Sequence, residues 1–152
     1  MTRVLALVLT AFLVAGCDVL GSTKKAPPPK PLSHAQFVRA ADRACRRANR
    51  RAKRLKKVTS AEAFLFDLKL VIPIFEGEIG DLRPLAPPRA DAARFQQMLS
   101  TLDAEDLLAN HLLLEFESRH IRSVKGLAKR LDVIGKHSNR LARKLGLTVC
   151  AK

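Results

Sequence analysis

The 152-residue chain predicts an all-α fold, an up-down bundle of about four helices, on three observations. Apolar residues recur at spacings of three and four in four successive stretches between Ser33 and Leu145, the period of a helix that turns one face to a core. Two of those stretches open on capping boxes, Ser33 to Gln36 and Thr59 to Glu62, where side chains and first-turn amides exchange hydrogen bonds. The connections are short, so consecutive helices lie antiparallel.

The first helix is expected to start at Ser33 and to carry Phe37, Ala41, Ala44, Ala48, Ala52 and Leu55 as one narrow apolar stripe. Nearly everything else on it is cationic. Arg39/Arg43, Arg43/Arg47, Arg46/Arg50 and Arg50/Arg54 are like-charge neighbours one turn apart, and such pairs together cost roughly 1 to 3 kcal/mol in an isolated helix. A helix so charged calls for anions, on neighbouring helices or on an external partner. Arg43, Arg46, Arg47, Arg50 and Arg54 are the candidate contact residues for that partner.

The second helix carries Phe64, Leu65, Leu68, Val71, Ile72, Phe75 and Ile79, with Pro73 expected to bend or restart it. The segment Leu82 to Pro88, LRPLAPP, is a hinge-like connection whose last proline suits the first turn of the next helix. From Arg89 to about His120 no Gly or Pro occurs, and Phe95, Leu99, Leu102, Ala109, Leu113 and Phe116 mark one face. Asp103, Glu105 and Asp106 interrupt that stripe, so the helix either breaks there or uses its acids to meet the basic helices. The fourth helix uses Val124, Leu127, Leu131, Ile134, Ser138, Leu141 and Leu145, and Gly146 stops it with Leu147 available for the following hydrophobic contact.

The region before the bundle has a different composition. Arg3 followed by the apolar run Val4 to Ala15 matches a signal peptide in length and is short for a membrane span. Leu13 to Cys17, LVAGC, then resembles the lipobox of bacterial lipoproteins. That resemblance implies cleavage after Gly16, a diacylglyceryl group on the Cys17 thiol, and acylation such as palmitate on the new amino terminus. Residues 1–16 are thus expected to be removed. Residues 17–32 form a linker with Pro27, Pro28, Pro29 and Pro31, where polyproline II at about 3.1 Å per residue reaches roughly 40 Å. The bundle domain is 33–152. The expected location is extracytoplasmic, at the cell membrane through the lipid.

With Cys17 assigned to lipid by that resemblance, Cys45 and Cys150 remain as a pair in an oxidising compartment and are expected to form a disulfide. Two free thiols and a thiol metal site are the alternatives, and neither has supporting spacing. The sequences AADRAC, ending at Cys45, and LGLTVCA, around Cys150, are similar to those of small secreted or lipidated helical proteins of actinobacteria. The similarity covers Phe37 to Ala151 and implies no known reaction.

Charge is polarised along the chain. Loss of residues 1–16 removes Arg3 alone and leaves 27 basic residues against 14 acids. Residues 39–57 and 118–152 each hold ten basic residues and one acid, whereas 58–117 hold eleven acids and four bases. This polarity suits an anionic phospholipid or wall polymer, or a solvated face balanced by the acidic middle helices. Nucleic acid is disfavoured, because the chain has no Tyr or Trp to stack bases.

The remaining chemistry is sparse. Glu117 and His120 make an E-x-x-H pattern, which on one helical face is half of a di-metal bundle site, and His111 with Glu115 could join it. No second copy exists, and Arg119 on the same face repels a cation. There is no nucleophile elbow, phosphate-cradling glycine loop or cysteine-protease signature, which argues against an enzyme and for no cofactor. The sequence therefore predicts a membrane-anchored, non-enzymatic binding module with a basic surface; the alternative is a metal-binding bundle using His111, Glu115, Glu117 and His120.

Overall fold

The computed structural model describes residues 29–55 and 61–151, with side chains of the second helix described from 63 onward. The leader, the Gly16/Cys17 junction, most of the linker and the Thr59 box lie outside the described residues. Within them the chain forms four helices and no strand: α1 (His34–Ala52), α2 (Ala61–Leu82), α3 (Arg89–Glu117) and α4 (Ile121–Lys144). None of these helices is long and apolar enough to cross a membrane. Consecutive helices pack side by side, most extensively α3 with α4.

The start of α1 follows from its first residues. Ser33 Oγ accepts the Gln36 amide hydrogen at 3.3 Å, and Gln36 Oε1 accepts the Ser33 amide at 3.0 Å, completing the capping box. Phe37, Ala41, Ala44 and Ala48 are buried as the stripe requires, together with Cys45 and Asp42. Leu32 donates its amide to the Ala86 carbonyl, which ties the end of the linker to the α2–α3 connection.

Pro73 does not restart α2, which continues from Ala61 to Leu82. The residue is exposed, so water can satisfy the Lys69 carbonyl that has lost its amide partner. Nor do Asp103, Glu105 and Asp106 break α3. Leu102, Glu105, Ala109 and Leu112 continue at helical spacing, so Glu105 occupies a position in phase with the core.

Both ends of α4 are set by the same turn. After α3 the Arg119 amide donates to Phe116 O and the His120 amide to Glu115 O, with Arg119 at φ 58°. After α4 the Gly146 amide donates to Arg143 O and the Leu147 amide to Ala142 O, with Gly146 at φ 76°. This double hydrogen bond satisfies helix-end carbonyls at the cost of one left-handed residue. Glycine fits that conformation without strain and arginine does not. The expected helix to His120 therefore stops at Glu117.

Beyond Gly146 the tail runs back along α1. The Val149 amide donates to Asp42 Oδ1 at 3.1 Å, and Asn49 Nδ2 donates to Val149 O at 3.3 Å. Cys150 is thereby placed against Cys45, and the two form a disulfide 105 residues apart in sequence.

The core has two parts. At the disulfide end Phe37, Cys45, Leu82, Phe95, Met98, Leu141, Leu145 and Leu147 belong to one buried cluster, with Phe37 and Phe95 edge to face at 4.9 Å. At the other end Leu68, Leu112 and Leu127 form a smaller cluster that α1 does not join.

Candidate functional site

The α1 surface opposite its buried stripe is a field of guanidinium groups. Arg43, Arg46, Arg47, Arg50 and Arg54 are all exposed, Arg54 lying in the turn after the helix. Arg47 alone among them is in an ion pair within the described residues, its Nη2 2.9 Å and Nε 3.2 Å from Asp81 Oδ2. Several acids of the middle helices are engaged elsewhere. Asp103 pairs with Arg83 at 2.6 Å, Glu117 with Lys69 at 2.6 Å, and Asp91 with His34 at 2.8 Å. Glu105 meets α4 through the Ser138 hydroxyl at 3.0 Å rather than through a cation. The basic residues of α1 and α4 thus face water.

A second cluster lies inside the bundle beside the disulfide. Glu78 has its carboxyl group raised to about 7 by burial first, and then by the negative charges of Glu105 and Asp81. Burial also raises Glu105, against the lowering effect of the Ser138 hydrogen bond. Ligand atoms of Glu78, Cys45 and Cys150 lie within 4.8 Å of one another. Both sulfurs are spent on the disulfide, and a disulfide sulfur lacks the thiolate charge that binds a metal. Glu78 is thus a half-buried carboxyl group that holds its proton more tightly than a free one does.

Sequence periodicity contained a signal for these residues. Glu78 sits three and four residues from Phe75 and Leu82, at the edge of the apolar face, and Glu105 falls in the α3 stripe itself. Asp42 lies inside a run of arginines, and its role as the buried acceptor of the tail amide comes only from the returning tail.

The E-x-x-H pair does not share a helical face. Glu117 is the last residue of α3, and the left-handed Arg119 turns the chain before His120, so Glu117 points to Lys69. Glu115 instead draws both imidazoles, with His120 Nδ1 at 3.2 Å from one oxygen and His111 Nε2 at 3.5 Å from the other. The Ser123 hydrogen bond first, with the charges of His120 and His111 and the His120 hydrogen bond, holds Glu115 below its usual range against the opposing effect of burial. His111, Glu115, Glu117 and His120 supply no group of three converging ligand atoms among the described residues.

Fold and surface together define a disulfide-closed, all-α bundle with a strongly basic exterior. No protein-family model, curated protein or solved structure matches the chain.

Proposed function

We propose that the protein is a lipid-anchored extracytoplasmic module whose bundle binds an anionic phospholipid surface or wall polymer through the exposed arginines of α1, without catalysis. The supporting observation is the lack of intramolecular compensation: of Arg43, Arg46, Arg47, Arg50 and Arg54, Arg47 alone has an acidic partner among the described residues. Like charges one turn apart lower the stability of α1, and a polyanion relieves them. Near an anionic leaflet each such side chain contributes about 1 kcal/mol, and the contribution fades within a Debye length of roughly 8 Å at physiological salt.

Sedimentation with phosphatidylglycerol vesicles, phosphatidylcholine vesicles and purified wall polymer tests this surface. Binding to the anionic material that falls with salt, and is weakened by Arg46→Glu/Arg50→Glu, is the expected result. Absence of binding at low salt defeats it. Mass spectrometry of the mature amino terminus tests the anchor separately, and an unmodified Cys17 removes it.

A metal-binding reading draws its support from one feature, the Glu115 carboxylate shared by His111 and His120. Metal analysis of protein purified without chelator decides it, and a metal-free product ends that reading.

A further inference from the structure

A groove of about 630 Å³ runs between α3 and α4 and is open along one side. Its floor is apolar, with Leu108 from α3 and Val133 and Ile134 from α4, and its rim carries Lys129, Arg130 and Arg140. Val133 within it is 60% exposed, so the strip is apolar surface left in water. A volume of this size lies within the range of about 300 to 1,000 Å³ typical of small-ligand sites.

The rim is uncompensated. None of the ion pairs among the described residues involves Lys129, Arg130 or Arg140. Asp132, the one acid on α4, is taken by Lys136 at 2.6 Å. Arg140 Nη2 donates to His137 Nδ1 at 3.3 Å, a contact that steadies the guanidinium at the rim.

We propose that this groove binds a monoacyl anion, an alkyl chain ending in a carboxylate or phosphate, taken up as a single molecule. The floor offers no polar partner and therefore selects a hydrocarbon, since any polar group laid on it loses its hydrogen bonds to water. The rim selects a compact anion, which guanidinium groups hold by charge-assisted hydrogen bonds. A wall polymer supplies anions without a chain, and a nucleic acid supplies bases for which the groove has no aromatic platform. A concavity between two helices suits one chain better than a flat bilayer. The site is on a different surface from the α1 arginines and depends neither on them nor on the anchor.

The test is calorimetric titration of the full chain with dodecanoate and dodecyl phosphate below their micelle concentrations, with neutral dodecyl maltoside as the control. One-to-one saturable binding of the two anions is expected, with the maltoside weaker by about tenfold or more. Val133→Asp, at an exposed position that leaves the fold intact, and Arg130→Glu/Arg140→Glu should each weaken dodecanoate binding by about tenfold or more. Arg46→Glu/Arg50→Glu should leave it unchanged, which separates a failure here from a failure of the α1 surface. Equal affinity for the maltoside, or unchanged affinity in both groove variants, overturns the proposal. So does binding to anionic vesicles without binding of monomeric dodecanoate, which makes the strip a bilayer face. Concentration-dependent dimerisation that Val133→Asp abolishes, without dodecanoate uptake, overturns it as well and makes the strip a self-association surface.

Discussion

At the disulfide end all four helices and the returning tail contribute buried side chains to one cluster, whereas at the other end three leucines from α2, α3 and α4 hold the bundle. The difference begins with helix length. α1 has 19 residues and α3 has 29, so at about 1.5 Å per residue α1 stops roughly 15 Å short. Alanines line the buried face of α1 and make a thin layer, which lets Phe37 and Phe95 fill the space between helices. Far from the disulfide no such layer covers the bundle, and Phe66, Leu114 and Ile121 remain largely exposed among the described residues. Stability is thus concentrated where the chain ends are tied, and the apolar surface left over lies on the helices away from that tie.

Replacing both Cys45 and Cys150 by Ser should cost about 4 to 5 kcal/mol in urea unfolding, the chain-entropy value for so long a loop, and a loss below about 1 kcal/mol would show that packing alone holds that end. Phe37→Ala should cost about 4 kcal/mol and Leu127→Ala about 2 kcal/mol, because the looser end can collapse around a missing side chain. Equal losses in the two variants would dissolve the distinction between the ends.

Glu78 gives a pH signature to the disulfide end. Its folded value is raised from 4.5 to about 7, so the folded state binds the proton more tightly than the unfolded state does. The associated stability is fully present below 4.5 and is lost as pH rises through about 7. Glu78→Gln keeps the neutral form at every pH. Against the parent it should be neutral at pH 4 and more stable by about 2 kcal/mol at pH 8, a figure discounted for the partial exposure of the carboxyl group. A constant difference from pH 4 to pH 8 would place the carboxylate in solvent.

The smallest effects come from the two left-handed helix ends. Arg119→Gly should raise stability by about 1 kcal/mol by removing the strain of a side chain at positive φ, and Gly146→Ala should lower it by about the same amount. Thermal melts of the two variants moving in the same direction would break the equivalence of these turns.

Helix order was legible in the sequence because period-three-and-four patterns and caps are local. The Ser33 box and the Gly146 stop were both readable for that reason. The end of α3 was not, because Arg119 stands where glycine is the usual sign, and nothing in the run Glu115 to His120 marks the turn that separates Glu117 from His120. The arginine surface was readable as a composition bias, but that Arg47 alone of its five candidate residues would find an acidic partner was not. Asp103, Glu105 and Glu117 had the right charge to neutralise it, and their positions in space direct them to Arg83, Ser138 and Lys69 instead.

Local chemistry in the sequence by itself determined an all-α bundle, the starts of α1 and α3 and the α4 stop, and the pairing expected of Cys45 with Cys150 followed from the resemblance that assigns Cys17 to lipid. Tertiary structure alone decided that α2 passes through Pro73, that Glu78 and Glu105 are half-buried between helices, and that α3 and α4 flank a basic-rimmed apolar groove. Periodicity reports which side of a helix is apolar, whereas the neighbour that covers that side, or leaves it open, is set by helix length and packing across the whole chain.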